Sequence, residues 1–150
     1  TYILVCGVNM LMSVVKTMGG VDMMVGGLTS IMTDHLVAPV MSLAAGVLSW
    51  FSSTTGVVMP TLIPTVPEIL QTFPSASYSA VVSGITITSF LAAFSPASTG
   101  GAGVMAQYAI FNQEAGEKDT NKLFIRLFLT SVVSVAVSTL LAAVGLYKIF

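Results

Sequence analysis

Two short polar clusters interrupt charge-free apolar sequence: Trp50-Phe51-Ser52-Ser53-Thr54-Thr55-Gly56 and Ser95-Pro96-Ala97-Ser98-Thr99-Gly100-Gly101. Their hydroxyls, and the backbone groups they free, are the atoms able to do chemistry in this chain. Oxygen ligands suit hard cations, whereas N–H groups at a helix start attract carboxylates and other anions. Val57 opens a new helical run, so the positive end of that helix is expected to point into Ser53-Thr54-Thr55. Unwound backbone survives in lipid only where protein or a watery cavity covers it. Paired half-helix breaks near the bilayer midplane are how secondary transporters build substrate and ion sites. The plainer alternative is that Ser and Thr glue packed helices, with Gly100 and Gly101 permitting a kink or close approach.

The rest of the chain must be able to hold such breaks inside a membrane. Of 150 residues, 55% are hydrophobic and 7% charged, and the mean hydropathy is +0.94. Soluble domains carry about 25% charged residues, so the composition is that of an integral membrane protein. A net charge of −1 offers no basic surface and excludes nucleic acid as a partner. The lone cysteine, Cys6, allows neither an intrachain disulfide nor a cysteine metal cluster. The sequence opens inside an apolar run, Tyr2-Ile3-Leu4-Val5, without a charged leader, and reads as the C-terminal part of a longer protein.

Length then assigns the elements, all of them helical. Residues 1–34 read as a spanning helix plus an interfacial segment bent at Gly19-Gly20 and carrying Lys16 and Asp22. Between His35 and Pro67 no Asp, Glu, Lys or Arg occurs. One straight helix over that stretch is about 50 Å long, too much for one span, while two spans of ~20 residues need more chain. Two half-length helices, Leu36–Phe51 and Val57–Leu70, fit as a re-entrant hairpin over 36–70. Pro60, Pro64 and Pro67 are expected to kink its second arm. Residues 78–112 read as one transmembrane helix made discontinuous by Ser95 to Gly103. Residues 113–122 hold much of the charge and read as a cytoplasmic connection, because Lys118, Lys122 and Arg126 follow the positive-inside bias. Residues 123–149 read as a transmembrane helix around the uncharged run Leu127 to Tyr147.

Other reactive residues carry less. Asp34, His35 and Glu68 are read as charges at helix ends and the membrane surface. The nine methionines are scattered without a spaced motif and suit packing rather than metal transfer. An enzyme is not expected: His35 is far from every candidate nucleophile, and no Gly-x-Ser-x-Gly elbow occurs.

In order and spacing, the chain resembles the divalent-anion/sodium symporter family of the ion-transporter superfamily. Ile3-Leu4-Val5-Cys6-Gly7 and Lys16-Thr17-Met18-Gly19-Gly20 are similar to the helix opening that family's second repeat. Trp50 to Thr55 falls on its Ser-Asn-Thr hairpin tip, and Phe94 to Gly101 on its unwound Pro-x-Ala-Thr-Pro-Pro loop. The resemblance implies that Ser53, Thr54, Thr55, Thr99 and Gly100 contact a substrate carboxylate. It also implies that carbonyls of Ser52, Thr54 and Ser98 help cage Na⁺. The chain departs from the pattern at Thr54, where the family has Asn, and at Gly100-Gly101, where it has Pro-Pro. The implied function is ion-coupled transport of dicarboxylates or related organic anions across a bacterial-type inner membrane. The expected partners are membrane lipid and a second copy of the full-length protein. A cation/proton antiporter and a membrane scaffold subunit are the alternatives.

Overall fold

The computed structural model describes residues 32–112 and 117–149, with isolated positions among 1–31; the readings of Cys6, Lys16, Gly20 and Asp22 lie outside the described residues. Among the described residues every regular element is helical. In order they are α1 (Val37–Phe51), a π turn (Thr54–Val58), α2 (Met59–Leu62), a 3₁₀ turn (Ile63–Thr65), α3 (Val66–Thr72), α4 (Tyr78–Ala92), α5 (Thr99–Phe111), α6 (Glu117–Val144) and a closing 3₁₀ turn (Leu146–Ile149).

The register of the helices follows from where small residues let them meet. Gly46 of α1 lies against Thr88 of α4 and Val135 of α6, and Gly84 of α4 lies against Ser42 of α1. Farther along, Ser49 bonds to the carbonyl of Ser89, so α1 and α4 run side by side in the same direction. Helix α6 runs the opposite way: the Trp50 and Phe128 rings meet at a tilt of 51° with centroids 5.9 Å apart, whereas Thr88 bonds to Ser138. The segment 54–72 returns along this assembly. Its Val58, Leu62, Val66 and Ile69 share one buried cluster with Val37, Met41 and Ala45 of α1 and with Val81 and Ile85 of α4. Its prolines each stand at the start of a short helical piece, where a missing N–H costs least.

Four sequence boundaries shift. The second arm, expected from Val57, is already helical at Thr54. The break expected over 95–103 is confined to Ala93–Ser98, because α5 already begins at Thr99 and takes Gly100, Gly101 and Gly103 into the helix. The physical reason is the cap: the Ser98 hydroxyl accepts the Gly101 N–H at 3.2 Å, and that outweighs the low helix propensity of glycine. The connection expected over 113–122 is shorter, since α6 starts at Glu117. Glu117 and Asp119 in its first turn suit the positive helix end, and Lys122 pairs with Asp119 at 3.4 Å. Finally, the helix expected through 149 stops at Val144. Gly145 there has φ +84°, a left-handed conformation that ends helices and favours glycine. The chain then folds back so that Tyr147 is 4% exposed and its hydroxyl meets Ser138 at 2.7 Å.

Helix α6 is long and apolar enough to cross a membrane, by length and composition, and only 22% of its most apolar stretch is buried. A core helix of the same composition would be mostly covered. Phe124, Ile125, Leu129, Val133, Val137 and Leu140 are all exposed along it.

Candidate functional site

Helices α1 and α4 finish at the same end of the fold, which exposes the last carbonyls of both. The last carbonyls of a helix lack the regular helical partner, and hydroxyls meet them here; those of Ser89 and Ala92 also accept the N–H groups of Ala93 and Ser95, at 3.1 and 2.9 Å. Ser52 donates to the Leu48 carbonyl at 2.7 Å and Ser95 to that of Trp50 at 3.1 Å. The Ser89 carbonyl lies 2.8 Å from the Ser49 hydroxyl and 2.9 Å from that of Thr54. Ser131 of α6 reaches the Ala92 carbonyl at 3.0 Å. The Ser98 hydroxyl lies 2.5 Å from the Ala93 carbonyl and 2.7 Å from that of Ser95.

Ser49 and Thr54 are also 2.6 Å from each other. Two hydroxyl protons thus serve a triangle of oxygen contacts, so at any moment one contact lacks its own proton. Thr54 is 7% exposed and anchors the start of segment 54–72 to the end of α4.

Two helical segments begin where α1 and α4 end. Ser53 caps the first, its hydroxyl accepting the Gly56 N–H at 3.1 Å. Ser98 caps α5 in the same way. Both caps read Ser-Thr-x-Gly, at 53–56 and 98–101, a short repeat that was available in the sequence as a signal for matched N-caps.

A cavity of about 210 Å³ lies between the two caps, lined by Ser52, Ser53, Thr54, Thr55, Phe90, Ala93, Ser98, Thr99 and Gly100. It brings together every residue that the sequence reading singled out for substrate or ion. Their hydroxyls divide into two groups. Those of Ser52, Thr54 and Ser98 are committed to backbone carbonyls. Thr55 and Thr99 are exposed, and their hydroxyls face no protein partner among the described residues; Ser53 accepts a bond but retains its proton for another group. Gly100 presents bare backbone in the first turn of α5, where N–H groups lack helical partners. Among the described residues, no carboxylate and no basic side chain lines the cavity.

The donor set decides which ion it suits. First-turn N–H groups and free hydroxyls suit an anion. The oxygens implied for Na⁺ do not fit a cation cage. The Thr54 carbonyl accepts the Met59 N–H and the Ser98 carbonyl accepts the Ala102 N–H at 2.9 Å, so both point along their helices. Only the Ser52 carbonyl is left without a protein donor among the described residues, and hard cations take several oxygens at once.

Asp34 and His35 lie elsewhere, lining a second cavity of about 270 Å³ with Ala76, Ser77, Ala80 and the end of α6. That cavity is at the opposite end of α1 and α4. Compared with protein-family models, curated proteins and solved structures, the chain matches none.

Proposed function

We propose that this chain is the C-terminal repeat of an integral membrane secondary transporter for dicarboxylates or related small organic anions, in a bacterial-type inner membrane. The observation that carries the reading is the pair of serine-capped helix starts facing one uncharged cavity. Their positive ends and the hydroxyls of Ser53, Thr55 and Thr99 would hold one carboxylate group. The chain from α1 through segment 54–72 acts as a re-entrant hairpin, and α4 with α5 as one discontinuous transmembrane helix. Supporting this, α1 and α4 have 15 residues each, about 22 Å, short of the ~30 Å hydrocarbon core. The resemblance to the divalent-anion/sodium symporters points the same way. An N-terminal repeat would supply the other half of the site, with transport by alternating access and a homodimer as the working assembly.

The commitment of the Ser52, Thr54, Ser95 and Ser98 hydroxyls to carbonyls favours a second reading, a membrane scaffold whose polar clusters only pack helices. An antiporter is less well supported, because it needs a titratable group at the breaks and, among the described residues, none lines that cavity. Uptake of labelled dicarboxylates by vesicles containing the full-length protein separates these readings. Saturable uptake above empty vesicles is expected; no uptake of any member of the panel would favour the scaffold.

A further inference from the structure

Carbonyls at helix C-termini carry the negative end of the helix, and half-helix C-termini and unwound carbonyls are where transporters coordinate a coupling cation. In this protein the carbonyls of Leu48, Trp50, Ser89, Ala92 and Ala93, at the ends of α1 and α4, each meet a hydroxyl of the chain itself. We infer that these hydroxyls occupy the place of a coupling cation, so that the cavity binds a carboxylate with no sodium ion at this half of the site. The inference rests on the proposed anion-binding reading of the cavity.

Three features support it. Each hydroxyl directs a partially positive hydrogen at a carbonyl, which neutralises the helix end locally as a cation would. The donors come from separate parts of the chain: Ser49 from the last turn of α1, Ser52 from the first break, Ser95 and Ser98 from the second, Ser131 from α6. Ser131 and Ser49 are fully buried, so their protons have no water to turn toward. A cation entering here must reorient several such groups together, and each would forfeit a hydrogen bond inside a poorly hydrated site. The anion side is already arranged, with two helix starts capped and facing the cavity.

The test uses the full-length protein carrying Cys6→Ser and Phe90→Cys, purified in detergent, and follows the rate of maleimide modification at position 90. Phe90 lines the cavity, is 50% exposed, and offers no polar group to a ligand. Ala93→Cys in the same background is a second reporter from the same wall. Exchanging choline chloride for sodium chloride is expected to leave the modification rate unchanged. Succinate is expected to slow it with the same half-maximal concentration in both salts. Slowing by sodium chloride alone, or a lower half-maximal succinate concentration in sodium, overturns the inference, because a coupled ion must raise the anion's affinity by the factor by which the anion raises its own. If succinate protects in neither salt, the anion-binding reading fails, and the sodium comparison alone still decides the cation question.

Discussion

Ser53 and Ser98 stand 45 positions apart and do the same job. Each turns its hydroxyl onto the N–H of a glycine three residues later, at 3.1 and 3.2 Å, and each lines the same cavity. Two helix starts are thereby fixed at one place, and the ends of α1 and α4 arrive beside them. Because the chain's own hydroxyls meet the carbonyls of Leu48, Trp50, Ser89, Ala92 and Ala93, most of the polar backbone at these helix ends can sit within an apolar fold while paired.

The tight turn before α5 should make neighbouring glycines behave oppositely. A Cβ at Gly101 would collide with the backbone of Ser95 and Pro96, whereas one at Gly103 meets nothing within 4 Å. Gly101→Ala is expected to lower the unfolding temperature sharply and to displace the Ser98 cap. Gly103→Ala is expected to stabilise by up to about 1 kcal/mol, the helix-propensity difference. Thermal unfolding of the purified variants checks both.

The oxygen triangle of Ser49, Thr54 and Ser89 should be non-additive. Ser49→Ala or Thr54→Val alone leaves the Ser89 carbonyl one hydroxyl donor, so each is expected to cost about 0.5–1.5 kcal/mol. Removing both leaves it only the Ala93 N–H at 3.1 Å; because either single variant already loses the Ser49–Thr54 contact, the double variant should lose less than the sum, with a coupling of about 0.5–3 kcal/mol. A double-mutant cycle in denaturant measures it; strict additivity would mean that the contacts act independently.

Trp50 is the only tryptophan, and its indole nitrogen is buried without a hydrogen-bond partner among the described residues. Trp50→Phe should therefore sacrifice no hydrogen bond and keep the ring contact with Phe128. Phe128→Ala should remove the ring contact, worth about 0.5–1.5 kcal/mol beyond its buried area, and shift Trp50 fluorescence to the red as water reaches the indole. Emission spectra of wild type and the Phe128 variant test this.

The all-helical class and the long apolar helix α6 were legible in the sequence because they rest on composition, length and charge. The Ser/Thr/Gly cluster after α1 likewise marks where the chain leaves the helix, with extended backbone at Ser52 and Ser53. What was not legible depends on tertiary approach. Whether a threonine hydroxyl faces a cavity or a carbonyl cannot be read from spacing: Thr54 turns to Ser89, 35 positions away, while Thr55 beside it stays exposed. Counting glycines overstated the second break, since a serine cap can start a helix through Gly100 and Gly101. Charge likewise hid the first turns of α6, where Glu117 and Asp119 favour helix as much as solvent.

The proposed carboxylate site is tested most directly at Thr99. Thr99→Val keeps the side-chain shape and removes a hydroxyl that makes no protein bond among the described residues, so folding should be unaffected. A hydrogen bond to a charged group is worth roughly 1.5–3 kcal/mol, which corresponds to an affinity on the order of ten- to hundredfold weaker. Thr139→Val is the control, since the Thr139 hydroxyl in α6 is buried without a partner among the described residues and its loss should leave transport unchanged. The measurement is the concentration dependence of dicarboxylate uptake by reconstituted vesicles. The expected result is a half-saturation raised on the order of ten- to hundredfold in Thr99→Val alone; equal half-saturation in wild type and Thr99→Val would contradict the carboxylate site.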